Sequence, residues 1–426
     1  ADNGPSLFWI PQLPGHVKLI VSCLSDRAPE DPASQPYTAL KRRGLQNFIN
    51  LDALSEDEAQ TLLFERWLPQ ARRSLNAGQA QCIRERLKSD ACRQPLYLKV
   101  LFEEARLWRS DDPARTLGEN VSELLDTLFK RLGDASNHGP TLECALGYLA
   151  AARRGLTEME ILEVLYQDPD YKEFLEQMTA KTGHQLPDNP KRIPIAIWSR
   201  LRFDLAPYVA EHAAPGGTVL NFYHRQVAEF VRDQFLDTPQ KRQQRHERLA
   251  GYFHGQDYFL ESLEEQRTRA ERLPPTPRPA NVRRVDELPW QRLEAAKLSG
   301  EWNVVEKLFT DLFFLEAKAE AGFVFDLAGD FTQAVSSMAA ERSSHRMLKL
   351  LDEALRRDIH FIARHPTTLF QCLWNSCWWY DTPAAEDFHA NPESEGPNDG
   401  FSVPPWRKPG PKLSKLLEQW RNLKDA

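Results

Sequence analysis

Nowhere does this 426-residue sequence hold the ~20 consecutive apolar residues that a bilayer-crossing helix needs, so no membrane span is expected. Its first residues, Ala1-Asp2-Asn3-Gly4-Pro5, lack the basic segment and apolar stretch of a secretory signal. Positive charge is not in excess: 54 Lys and Arg against 61 Asp and Glu give a formal charge of -7, which disfavours nucleic acid or an anionic membrane as partner. Cysteine is scarce. Cys23, Cys82, Cys92, Cys144, Cys372 and Cys377 form no C-x-x-C pair, and several sit in apolar segments as reduced thiols would, so a cytoplasmic location is expected. The eleven histidines are dispersed, without H-E-x-x-H or a Cys/His quartet, and no G-x-S-x-G elbow occurs, so neither a metal site nor an acyl-transfer centre is expected. There is also no G-x-x-x-x-G-K-[ST] loop and no apolar strand ending in paired acids. The chain alone is therefore not expected to be an enzyme that hydrolyses nucleotides, and no catalytic residue is assigned.

What is present is a globular composition, 41% hydrophobic and 27% charged, enough for two to four compact units. The chain begins on Ala1 rather than Met, with an apolar run at once, and is expected to belong to a longer protein. The run Val17-Lys18-Leu19-Ile20-Val21-Ser22, entered through Leu13-Pro14-Gly15, reads as a buried parallel strand whose partners lie outside the sequence. A Pro-rich link over 28–36 precedes Ser55-Glu56-Asp57-Glu58, a capping box that opens a helix. Helical patterning recurs over 79–87 and 96–108, making a small helical domain over 33–118.

Residues 121–132, 142–152, 157–166 and 195–203 read as four more helices. Two strand-like runs at 205–210 and 218–223 flank Ala214-Pro215-Gly216-Gly217, a hairpin signal. Helices followed by one hairpin suggest a winged-helix domain over 119–237, closed by a helix at 225–236. No helix in it concentrates basic residues, so an internal role is expected rather than DNA reading. A connecting helix is expected within 238–273. Prolines 274, 275, 277, 279 and 289 then mark an extended linker over 274–289. An α-helical array without a fixed-period repeat follows over 290–382, and 383–426 reads as a flexible tether with a short terminal helix. Trp374, Trp378, Trp379 and Tyr380 form an aromatic cluster that, if exposed, could anchor a protein partner; Trp374 and Trp378, four residues apart, read equally as packing residues of that array. The fold class expected is mainly α, with one hairpin and one residual strand at 1–32.

Three segments, in order, resemble NACHT-type signalling NTPases of the STAND class. Leu13-Pro14-Gly15-His16-Val17-Lys18-Leu19-Ile20-Val21-Ser22 resembles the strand after the Walker B segment, which would place Ser22 facing the γ-phosphate; where many relatives have Arg two residues on, this chain has Leu24. Arg93-Gln94-Pro95-Leu96-Tyr97-Leu98 is similar to the N-P-L-Y-L helix start, whose proline packs on adenine, though proline also suits any first helical turn. Phe222-Tyr223-His224-Arg225-Gln226-Val227-Ala228-Glu229-Phe230 resembles the F-x-H-R-x-x-x-E-F element that ends the winged helix, whose histidine reaches the β-phosphate of ADP. Leu312-Phe313-Phe314-Leu315-Glu316-Ala317-Lys318 and Ile362-Ala363-Arg364-His365-Pro366 resemble the helical segment between NACHT and WD-repeat parts, while no Gly-His…Trp-Asp blade pattern occurs.

The resemblance implies the regulatory module of a nucleotide-gated switch, binding ADP or ATP through Ser22, Pro95 and His224 only together with an NTPase core that holds the phosphate loop. It implies as partners that core, an effector, and other copies on oligomerisation. Chemically, an imidazole at a strand-to-helix junction can donate to a phosphate that the helix N-terminus also attracts; equally, it can be a plain helix cap. The alternative function is a nucleotide-independent helical scaffold for protein partners.

Overall fold

At Ser55 the hydroxyl accepts from the Glu58 amide at 3.2 Å, and Glu58 Oε2 accepts from the Ser55 amide at 2.9 Å, so the capping box forms. It is seen in a computed structural model that describes residues 14–23, 35–42, 48–113, 115–182, 191–270, 276–389 and 404–425. The chain is mainly helical. Its first part holds α1 (Gln35–Arg42), α2 (Glu56–Gln60) running through a π-helical stretch (Thr61–Trp67) into α3 (Leu68–Gln70), α4 (Ala77–Arg86) and α5 (Pro95–Ala105). Next come α6 (Val121–Leu132), α7 (Pro140–Ala151), α8 (Glu158–Gln167), α9 (Pro169–Thr182), α10 (Ile195–Leu205), the strands β1 (Val209–Ala214) and β2 (Gly217–Phe222), and α11 (Arg225–Phe235). The rest is α12 (Pro239–His254), α13 (Leu263–Ala270), α14 (Val282–Ser299), α15 (Asn303–Phe309), α16 (Leu312–Glu320), α17 (Val324–Ser337), α18 (His345–Arg364), α19 (Leu369–Asp381), α20 (Ala385–His389) and α21 (Leu413–Asp425).

Side-chain caps explain where many of these helices begin. Asn76, Asn120, Thr157, Thr238, Asn281 and Asp311 each accept an amide of the turn that follows, satisfying donors with no intrahelical partner. β1 and β2 pair antiparallel from Val209↔Phe222 to Ala214↔Gly217, and the turn between them needs Gly216, whose φ is 84°. α7, α8, α10 and this hairpin stand where the winged-helix domain was expected. An isolated β-bridge is added to the hairpin at Leu156, which pairs with Leu220: Leu220 N donates to Leu156 O at 2.8 Å and Leu156 N to Leu220 O at 3.2 Å.

Several expected boundaries move. The run 17–22 forms no strand; it is extended and exposed, with Ile20 97% accessible, because a ladder requires a neighbour and the two described strands pair with each other. α10 runs to Leu205 and residues 206–208 form a turn, so the first hairpin strand begins at Val209 rather than Leu205. The linker expected over 274–289 stops before Val282. Pro289 is buried inside α14, where it deprives the Val285 carbonyl of its helical donor, a cost of ~3 kcal/mol that packing along α12 offsets. The connecting segment 238–273 divides into α12 and α13. Parts of the expected Pro-rich link, linker and tether (28–34, 273–275 and 390–403) lie outside the described residues, as do Leu24 and most of 1–32.

Buried hydrophobic residues from Ala59 to Trp420 form one contiguous core, with a small satellite of Phe259, Ala280, Val285 and Ala317. The terminal helix is part of it. Asp381 accepts the amides of Leu413 and Ser414 at 2.7 and 2.8 Å, fixing the start of α21, and Trp420 Nε1 donates to Thr310 O at 3.0 Å. Trp374 and Trp378 stack at 5.6 Å under α21, with Arg421 over Trp374 and Glu418 accepting from Trp378 Nε1, so the cluster seats a helix of the same chain. Trp379 stays about half exposed.

α12 and α14 make the most extensive helix pair among the described residues. Within their contact Gln291 Nε2 donates to Ala151 O and Glu287 Oε2, both at 3.1 Å, which turns Gln291 Oε1 toward His246 Nδ1 at 2.7 Å. Nδ1 therefore carries the proton. Burial holds the His246 pKa below the ordinary value, opposed by the Gln291 bond and Glu294. The unfolded chain thus binds a proton more readily, so stability is present above pH ~6.5 and falls as acid brings the pH through the depressed native pKa. Glu287, raised by burial, acts with opposite sign. Urea unfolding from pH 7.5 to 5 should show a shallower loss of stability in His246→Gln than in the wild type; equal slopes would contradict this role.

Candidate functional site

The junction between β2 and α11 is built from a hydrophobic clamp upward. Phe222 is buried at the end of β2, and the Tyr223 amide donates to Tyr208 O at 3.2 Å, pinning the strand end to the residue before β1. Phe129 of α6 stacks on Phe230 of α11 at 5.7 Å and meets Tyr208 and Phe235 edge-on, which fixes where α11 starts. Between these clamps His224, at φ -133° and ψ 138°, is the N-cap of α11. Its Nδ1 accepts the Gln226 amide at 3.2 Å.

That bond decides the chemistry of the ring. Burial lowers the His224 pKa, Arg225 adds to the lowering, and Glu229 opposes it, so the imidazole is neutral at physiological pH. With the Nδ1 lone pair occupied, the proton sits on Nε2, a hydrogen-bond donor beside an 11-residue helix whose first-turn amides point the same way. Tyr223 flanks the ring at 5.9 Å, and its hydroxyl pKa is raised by burial and by Glu103 of α5. Protonation would convert Nδ1 to a donor and break the cap.

Pro95 is exposed at the first position of α5, whose N-cap Gln94 supplies no side-chain bond. α5 is joined to α11 through α6, which packs on both. Ser22 lies exposed on the extended segment 14–23. Among the described residues no hydrogen bond, ion pair or ring contact joins Ser22, Pro95 and His224 to one another, and no group of His, Cys, Asp or Glu is arranged to hold a metal. No helix of the described residues is long and apolar enough to cross a membrane.

A cleft of about 410 Å³ lies elsewhere, between the end of α6, the start of α7 and the end of α11, lined by Phe129, Lys130, Leu142, Glu143 and Phe235. Charged groups that the sequence did not single out gather on the far side of the hairpin. Arg153 and Arg154, between α7 and the Leu156 bridge, face Asp286 of α14 and Asp326 of α17, and Arg153 also faces Asp330. Arg283 pairs with Glu160 at 2.9 Å and faces Glu287. The one local signal was the adjacent Arg-Arg and Asp-Glu pairs; their meeting across more than 130 residues is tertiary.

No family model and no solved structure matches this sequence. It is similar to curated proteins, however. It is 28% identical over 339 residues to human NACHT domain- and WD repeat-containing protein 1, covering 76% of this chain and 20% of that protein. The mouse protein of the same name is 25% identical over 409 residues, 89% of this chain and 25% of that protein. Human NACHT and WD repeat domain-containing protein 2 is 27% identical over 257 residues, 60% and 14% respectively. The chain thus spans a quarter or less of these relatives' length. Similarity over most of the chain makes this protein a relative of the NACHT- and WD repeat-containing proteins, which supports the NACHT-type resemblance of its motifs.

Proposed function

We infer that this chain is the regulatory, signal-transducing part of a nucleotide-gated STAND switch. On this reading the small helical unit and a winged-helix unit, made of α7, α8, α10 and the hairpin, close over ADP or ATP held by an NTPase core. His224 is the contact that tells closed from open. The observation that carries the reading is the use of Nδ1 for the α11 cap, which leaves Nε2–H free to donate to a phosphate at a helix N-terminus. A ligand shifts such an equilibrium only through contacts it makes in one state and not the other, and this donor is of that kind. Pro95 would face the base. Ser22, on its extended segment, would join the core's sheet as an added strand. The chain alone turns over no nucleotide, and its partners are the core, an effector and further copies once open, in the cytoplasm.

A hydrogen bond to a charged group contributes about 1.5–3 kcal/mol, which at ~1.4 kcal/mol per tenfold is a 10- to 100-fold change in affinity. In a protein that joins this segment to its NTPase core, His224→Ala should lose ADP by that factor and raise basal signalling. Unchanged ADP occupancy after desalting would exclude the role. The second reading, a nucleotide-independent scaffold, is favoured by the single contiguous core, which suits a rigid platform; it predicts that unchanged occupancy.

A further inference from the structure

Two arginines at the end of α7 link the hairpin to the helical array. Arg153 Nη1 donates to Asp286 Oδ1 at 3.1 Å and to the Asp286 carbonyl at 3.1 Å, while its Nη2 faces Asp330 at 3.5 Å. Arg154 Nε lies 3.2 Å from Asp286 Oδ2, and its Nη2 donates to Asp326 at 3.3 Å. Asp330 is also paired with the buried Lys318 of α16. The two side chains thus touch α14 and α17, and α16 through Asp330. The backbone of the same two residues is held too, since Glu287 accepts both amides, at 3.0 and 3.3 Å.

The same segment belongs to the hairpin. Arg154 O accepts from Asn221 Nδ2 at 3.3 Å, and Leu156 exchanges both backbone bonds with Leu220. Three residues after Asn221 stands His224. Residues 153–156 are therefore fixed on one side to the strand that leads to the histidine and on the other to acids of two array helices, α14 and α17. Here Arg153, Arg154, Arg283 and Lys318 meet Glu160, Asp286, Glu287, Asp326 and Asp330, five acids to four bases, and Asp286, Glu287, Asp330 and Lys318 are buried. A buried ionic set of this kind adds little net stability over apolar packing but strongly disfavours partial separation, since each member left alone carries its desolvation cost. It holds one geometry or releases it.

We propose that Arg153 and Arg154 form an ionic latch that makes the position of the helical array felt at His224, so that a shift of α14 and α17 frees the end of β2 and withdraws the imidazole from its place. The proposal rests on the nucleotide-switch reading for its biological meaning, but the mechanical coupling it asserts needs no nucleotide. The outer pair Arg154–Asp326 is the place to test it, because those side chains are 41% and 32% exposed and can be changed without opening the core.

Hydrogen exchange and the His224 imidazole titration are to be measured on this chain, as wild type, Arg154→Gln, Asp326→Asn and the double variant, each checked for native circular dichroism. Either single change should speed exchange over 217–224 by roughly 5- to 20-fold, and the double change by less than the product of the two, as expected of residues that share an interaction. The His224 midpoint should rise toward the ordinary histidine value as its burial loosens. Faster exchange confined to 153–156 and the array, with the 217–224 rates and the His224 midpoint unmoved in both singles, would overturn the latch. Because no nucleotide is present, that result leaves the ADP test untouched, and a failed ADP test leaves the coupling standing.

Discussion

Asp168→Ala is expected to lower the stability of the chain by about 3–5 kcal/mol, the cost of breaking a buried ion pair from one side. The Asp168 side chain is fully buried where α8 passes into α9. Its Oδ2 accepts from Tyr148 at 2.6 Å and Arg245 at 2.5 Å; its Oδ1 accepts the amides of Asp170 and Tyr171 and lies 2.7 Å from Arg248. One carboxylate thus ties α7, the α8–α9 turn and α12, and its loss takes the shared partner from two half-buried guanidinium groups. Burial alone would raise its pKa, but the Tyr148 bond and the two arginines outweigh that and lower it. A depressed carboxylate contributes stability that is present above its unfolded pKa near 4 and lost as pH falls through the native value. Urea unfolding at pH 7 should show the full loss in Asp168→Ala, and Asp168→Asn should lose nearly as much, because shape is kept but charge is not. A loss below 1 kcal/mol in both would mean that the cluster is not a structural centre.

The second large effect belongs to a backbone position. Gly155 sits at φ 104°, and a Cβ there would lie 2.2 Å from the Leu220 carbonyl oxygen. That oxygen cannot swing aside as a side chain would, since it accepts the Leu156 amide. Gly155→Ala therefore combines left-handed strain with a backbone clash, together of order 3 kcal/mol. The Leu156 bridge should detach from β2, visible as faster exchange at Leu220 and a lower thermal midpoint. Gly217→Ala is the control: its φ of 148° is also unusual, but its Cβ would meet nothing within 4 Å, so the cost should be smaller.

How far the sequence revealed this molecule depends on whether the signal was local. Ser55 and Glu58, Thr157 and Glu160, and the Pro215-Gly216 turn act within four residues, and each appears where patterning placed it. α6 runs over Val121–Leu132 as expected, because its apolar stripe and its Asn120 cap agree. Pro289 misled because its local cost is outweighed by burial against a helix some 40 residues earlier. The short helix expected after the tether forms as α21, but its capture by Asp381 and Thr310 is tertiary and left no local signal. At the candidate site the motif placed His224 at a strand-to-helix junction, which is where it lies, and the plain capping role weighed beside the phosphate role is visible in the Gln226 bond. Which nitrogen that bond occupies could not be read from the motif. The run 17–22 carried strand chemistry without a strand, because pattern specifies a preference and a ladder requires a partner.

The central claim is that the His224 Nε2–H reaches a nucleotide phosphate. It is tested most directly by the structure of a protein carrying this segment and its NTPase core, solved with ADP bound in the closed state. The account predicts Nε2 within about 3.2 Å of a β-phosphate oxygen, with Nδ1 still accepting the Gln226 amide. Bound ADP with Nε2 turned into protein, or more than about 6 Å from any phosphate oxygen, beyond even a water-bridged contact, would contradict it.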